Sequence, residues 1–422
     1  MYQEKILSNG LRIIMVPVHS FQSVSLGIFV KIGSRYESEA QAGISHFIEH
    51  MLFKGTSQRP TARHIAEAIE GVGGMSNAYT SQETTVYYAK VAASQVNTAI
   101  DVLTDMVRHP LFQPTELEKE RSVIGEELDM IYDAPDNWVN VLLDQTLWPN
   151  HPLGNNVVGT PESLTVMSRE ALLDYFQVGY HPHNILVALG GAFEPDMVVT
   201  ELSTRLEDWQ PHALPEFEAA PPPQNQARWY VENRPIEQGH LCLALPALSR
   251  SHPQRYALSV LNTILGEGMS SRLFLNIREE RGLAYAVDSG LNLLQDTGDL
   301  VIYAGVAPER AGEALQAILD ELDRLRQEPV PTQELRKAIE YIKGRLVLGL
   351  EDSFSQASWV AYQALFKEQI KTPAEILQVY DAVTAEEVMS IAQNLLKPSM
   401  YNLAAVGPFG QGESLGRLVG AV

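Results

Sequence analysis

The sequence breaks near its midpoint and then repeats its own pattern. Residues His212 to Gln226, HALPEFEAAPPPQNQ, are too rich in proline to continue a helix or a central strand and read as a linker. Ahead of it stands PTELEKERSVIGEEL (Pro114 to Leu128); beyond it stands PTQELRKAIEYIKGRL (Pro331 to Leu346). Each half then closes in the same way. Ser168-Arg-Glu opens a helix followed by Pro182, the strand NILVALGG and Phe193. Thr384-Ala-Glu opens another, followed by Pro398, the strand YNLAAVG and Phe409. Pro114 thus answers to Pro331, Ser168 to Thr384 and Phe193 to Phe409, in the same order and at nearly constant offset. A duplicated α+β fold is therefore predicted: two similar α/β sandwiches, each an antiparallel sheet packed with helices. The expected domains are residues 1–211 and 227–422, joined by 212–226.

The first half opens as β structure, with strands expected over Leu11–Val18 and Val24–Lys31. The segment AQAGISHFIEHMLFK (Ala40 to Lys54) then fits a helix closed by Gly55. Ile44, Phe47, Ile48, Met51 and Leu52 follow helical spacing and form one apolar stripe. His46, Glu49 and His50 fall on the opposite side. Two His at i, i+4 present imidazoles side by side, as two ligands of a tetrahedral Zn²⁺ require, and Glu49 is placed to take a proton from metal-bound water. The order H-x-x-E-H is the inverse of the H-E-x-x-H zinc helix. A merely solvated polar face is the competing account.

A catalytic zinc needs a third protein ligand. A second helix is expected from Thr115 to about Tyr132, with an apolar stripe of Leu117, Val123, Ile124, Leu128 and Ile131. Glu120 and Glu127 lie two helical turns apart and fall inside that stripe, whereas Glu126 points away. Buried carboxylates need a metal, a cation or a proton. Glu127 is read as the third ligand and Glu120 as a carboxylate that orients a ligand His or assists proton transfer; a structural salt bridge is the alternative. Laying the second half over the first sets Ile264, Gly268, Ala338 and Arg345 against His46, His50, Glu120 and Glu127. The second half thus keeps the framework without the ligands.

HFIEHMLFKGT (His46 to Thr56), with Glu127 following farther along the chain, resembles the pitrilysin/insulinase-type zinc metallopeptidases. So do GGMSNAYTSQETTVYYAK (Gly73 to Lys90) and SSRLFLNIREERGLAYAV (Ser270 to Val287). The resemblance implies His46, His50 and Glu127 as ligands of one Zn²⁺ per chain and Glu49 as general base. It also implies that Asn77 and Ala78 contact the substrate backbone. Arg278 and Tyr285 match the family's Arg/Tyr pair, which donates to the scissile carbonyl; pairing of Arg278 with Glu279 or Glu280 is the plainer account. The implied activity is endoproteolysis of short or unfolded peptides inside a chamber enclosed by two chains, as a homodimer or with a related partner. A non-catalytic subunit of a related complex is the rival.

Charge narrows the partners. The balance 31 − 52 = −21 argues against nucleic acid and leaves cationic or neutral peptides. No apolar run approaches the roughly 18 residues of a membrane span. One cysteine, Cys242, and the lack of a signal-peptide pattern at the N-terminus lead to the expectation of a cytoplasmic protein. His181-Pro-His183 reads as a surface turn and Cys242 as a buried strand residue.

Overall fold

A computed structural model of the chain describes residues 2–366, 369–410 and 412–420. It contains two mixed α/β units, each built on one sheet.

The first unit holds a six-stranded sheet of β1 (Gln3–Ile6), β2 (Arg12–Pro17), β3 (Ser23–Val30), β4 (Met75–Thr80), β5 (Thr85–Ala92) and β6 (Ile185–Gly191), in the order β1-β2-β6-β3-β5-β4. The second holds β7 (Arg228–Asn233), β8 (Gly239–Ala247), β9 (Ala284–Leu293), β10 (Gly298–Val306) and β11 (Asn402–Gly407), in the order β7-β11-β8-β10-β9. With β1 set aside, the two orders coincide strand for strand: β2-β6-β3-β5-β4 in one unit and β7-β11-β8-β10-β9 in the other. The duplication read from the sequence is thus a duplication of topology. Neither sheet is purely antiparallel, however: β2 runs parallel to β6 and β7 parallel to β11. In each half the last strand arrives from a long crossover of helices, which permits parallel pairing where a tight turn would not.

The compact units are not the continuous halves expected from the linker. One comprises Met1–Asp129, Asn155–Glu218 and Val347–Thr372; the other comprises Met130–Gly154, Ala219–Leu346 and Pro373–Val422. The halves exchange a helix. The helix Ser353–Leu365, from the C-terminal half, packs Ala357, Val360, Ala361 and Ala364 against Ile14, Val16, Phe29, Leu186 and Ala188 of the first sheet. It lies so close to β6 that a Cβ on Gly190 would collide with the Ser353 carbonyl. Reciprocally, Pro135–Leu147 packs Val139, Leu142 and Leu143 against Cys242, Ala244, Ala404 and Val406 of the second sheet. Strand alternation alone cannot reveal which helix covers a face, because any apolar helix of suitable length satisfies the pattern. Residues 212–226 carry no helix or strand.

Among the described residues no helix is long and apolar enough to cross a membrane.

Candidate metal centre

Four elements of the first unit build the site: β4, β5, helix α1 (Ile44–Leu52) and helix α2 (Pro114–Asp133). Helix α1 is shorter than the sequence pattern suggests. Gly43, at φ 89°, turns the chain into it, and a 3-10 turn at Glu39–Gln41 precedes it. The Glu37 carboxyl group accepts from the Gly43 and Ser45 N–H groups at 2.7 and 2.9 Å, so a buried side-chain cap fixes where α1 begins. Its residues are buried except Glu49 and His50, which are half-buried. His46 itself is 8% exposed, so the polar side of the helix faces protein rather than water.

On α2, Leu117, Glu120 and Ile124 are buried. Glu127 is half-buried and so is Leu128, whereas Val123, expected in the apolar stripe, stands 46% exposed. The buried stripe is therefore narrower than a full core-facing helix would show, leaving the Glu120 and Glu127 side facing α1.

The Nε2 atoms of His46 and His50 each stand 3.7 Å from Oε2 of Glu127. One donor atom from each of these residues falls within 4.8 Å of the other two, and among the described residues no other group of three His, Cys, Asp or Glu is gathered so closely. Donors bound at 2.0–2.1 Å in tetrahedral array stand about 3.3 Å apart, close to the 3.7 Å that separates each imidazole from Glu127. Burial, and then His50, push His46 down to about 4, keeping its imidazole neutral with a lone pair to offer. With its proton on Nδ1, His50 donates to Glu120 Oε2 at 3.1 Å. Lys54 Nζ contacts Glu120 Oε1 at 2.7 Å. Burial raises the Glu120 pKa, but the hydrogen bonds from His50 and Lys54 outweigh it and leave the carboxyl lowered. Glu120 thus does two things at once: it pairs with a cation and it orients a histidine.

Glu49 accepts a hydrogen bond from Thr80 Oγ1 at 2.5 Å. Burial raises its pKa above the ordinary carboxylate value, against the opposing effect of the Thr80 hydrogen bond. Thr80 is the residue the sequence reading missed. It sits at the hairpin end of β4, and only strand pairing brings it to α1. Asn77 and Ala78 lie on β4, an edge strand that among the described residues pairs only with β5.

In the second unit, Arg278 lies in a π-helical segment, Phe274–Glu280, and Tyr285 is 76% exposed on β9. The guanidinium stands 5.5 Å from the Tyr285 ring centroid and Arg278 Nε 3.9 Å from Glu279. A groove of about 640 Å³ opens on the same sheet, lined among others by Asp136, Asn140, His240, Tyr285, Asp288 and Tyr303. His181 is fully buried rather than in a surface turn, while His183 is exposed. Cys242 is buried, as read.

The sequence profile described as "Insulinase (Peptidase family M16)" matches residues 12–161, and that described as "Peptidase M16 inactive domain" matches 167–342. An uncharacterized zinc protease of Bacillus subtilis is 37% identical over 402 residues, covering 95% of this chain and 97% of that relative. The chain belongs to the insulinase family of peptidases. Another relative, an uncharacterized zinc protease of Mycobacterium leprae, is 36% identical over 97% of this chain and 93% of its own. The fold matches a protease from Helicobacter pylori with a TM-score of 0.92 at 23% identity, over 97% of this chain and 99% of that one. It also matches a Pseudomonas fluorescens protein described as a peptidase M16 inactive domain, with a TM-score of 0.88 at 20% identity, over 96% and 98%. His46, Glu49, His50 and Glu127 all lie within the first matched segment. In the second half, Ala338 and Arg345 replace the two glutamates.

Proposed function

We propose that this family member is a zinc endopeptidase binding one Zn²⁺ per chain through His46, His50 and Glu127. The convergence of those three donors beside a held carboxylate, Glu49, is the observation that carries the reading. Bound Zn²⁺ polarises a carbonyl oxygen and brings the pKa of water to about 7. Glu49 takes the proton from the attacking water and delivers it to the leaving amine, a task suited to a carboxyl raised by burial. Glu120 keeps His50 in the tautomer whose Nε2 is free to ligate. Asn77 and Ala78, on the open edge of β4, offer main-chain groups to a peptide that adds as a further strand, so sequence selectivity is loose. Arg278 and Tyr285 donate to the scissile carbonyl oxygen.

The substrate proposed is a short or unfolded peptide, admitted to an enclosed chamber formed by two chains. A basic peptide is favoured. The groove of the second unit carries the carboxylates of Asp136 and Asp288, neither in an ion pair among the described residues, and a net charge of −21 acts in the same direction. A lone, buried cysteine supports a cytoplasmic setting.

The test is cleavage of a fluorescence-quenched peptide, abolished by a chelator and restored by Zn²⁺. A zinc-loaded chain that binds peptides without cutting any would instead favour a non-catalytic, peptide-binding subunit.

A further inference from the structure

We infer that Thr80 is a positioning residue for Glu49: its hydroxyl fixes one carboxylate oxygen and leaves Oε1 as the atom that accepts the proton. The inference rests on Glu49 being the general base and goes beyond it by assigning what aims that base.

The hydrogen-bond directions follow from counting protons. Thr85 Oγ1 donates its one hydrogen to the Ile32 carbonyl at 2.9 Å. Thr80 Oγ1, 3.5 Å from Thr85 Oγ1, can therefore only donate toward it, and Thr80 too has a single hydrogen. At 2.5 Å the Glu49 carboxylate is far the closer acceptor, and a charge-assisted bond is the stronger of the two. Oε2 of Glu49 is thereby occupied. Oε1 has no hydrogen-bond partner among the described residues.

Thr80 is itself held in place. It pairs with Thr85 across the β4–β5 register, and its strand lies against α1. The anchor of the carboxylate thus belongs to the same strand as Asn77 and Ala78. A long glutamate with several rotatable bonds would otherwise sample orientations unsuited to proton transfer, and a fixed one avoids that loss.

Thr80→Val keeps the branched shape and deletes the hydroxyl; Thr80→Ala deletes it with less crowding; Thr80→Ser restores it. On a quenched peptide cleaved by the zinc-loaded wild type, Val and Ala variants should lose kcat on the order of tenfold, the scale of one hydrogen bond to a charged group. KM and zinc content should stay at wild-type values, and Ser should recover most of kcat. Wild-type kcat in the Val or Ala variant, with Glu49→Gln inactive, would overturn the assignment. So would a Ser variant as slow as Val, or loss of zinc in the Val and Ala variants. Turnover retained by Glu49→Gln would instead remove the underlying reading of the base.

Discussion

Glu120 and Ala338 hold equivalent places in two copies of one helix, and both are almost wholly buried, at 3% and 2% exposure. One copy buries a carboxylate where the other buries a methyl group. A buried charge is costly unless paired, and Glu120 offsets that cost with Lys54 and His50. Glu120→Gln keeps the shape but weakens the hold on His50, so zinc affinity should fall about 10- to 100-fold in chelator competition. Unchanged affinity would leave Glu120 as the partner of Lys54 alone.

The two acids nearest the chemistry should separate cleanly. Glu49→Gln should retain zinc and lose on the order of 10²–10⁴ in rate, because the amide cannot accept the proton. Glu127→Gln should instead lose zinc after dialysis, measured by metal analysis. Glu126, next to it on α2 but outside the donor cluster, gives the control, and its Gln variant should keep both metal and activity.

Asp299, 1% exposed on β10, sets a pH dependence of stability apart from catalysis. Asn292, its cross-strand partner, donates to it at 2.8 Å, yet burial pushes its carboxyl from 3.8 up to about 7. Between those values the folded chain keeps a proton that the unfolded chain has lost. Its contribution to stability therefore declines as pH rises through that window and is fully lost above about 7. Asp299→Asn cannot ionise. Its unfolding free energy relative to wild type, both zinc-free and measured by denaturant titration, should rise from pH 5 to pH 8 by at most about 3 kcal/mol, two pH units of the window at about 1.4 kcal/mol each. A difference independent of pH would show that Asp299 does not titrate there.

For peptide selectivity, KM for Arg- or Lys-rich substrates should rise with salt, since a Debye length of about 10 Å at 0.1 M screens the attraction. Asp288→Asn should raise that KM roughly threefold and leave neutral peptides unaffected. Equal KM values for acidic and basic peptides across the salt series would assign the net charge to solubility only.

If Arg278 and Tyr285 of one chain complete the zinc site of the other in the proposed two-chain chamber, inactive variants should complement. When Glu49→Gln chains are mixed with Arg278→Ala chains and exchange subunits, a heterodimer holds one site with both lesions and one with neither. Activity should return toward half the wild-type value per heterodimer. No recovery after demonstrated exchange would confine each site to one chain.

His46, His50 and the two glutamates of α2 were legible in the sequence because helical spacing is a local property: one turn apart, or two, fixes a common face. Thr80 was not legible, since nothing near it in the chain marks the strand end that reaches Glu49. Nor was the helix exchange, which depends on which of two similar apolar faces each helix finds. The start of α1 was set by Gly43 and Glu37 together, a cap formed from upstream of the helix and outside its periodic pattern.

The exchanged helix also fixes a schedule. The first sheet has all its strands once Gly191 has been synthesised, but the helix that covers Ile14, Val16, Phe29, Leu186 and Ala188 ends only at Leu365, well into the second half of the chain. At about 5–20 residues per second, translation from Gly191 to Leu365 takes roughly ten to thirty seconds. Through that interval the emerging polypeptide carries an exposed oily surface on the ribosome, which must be shielded by other means before the first unit can close.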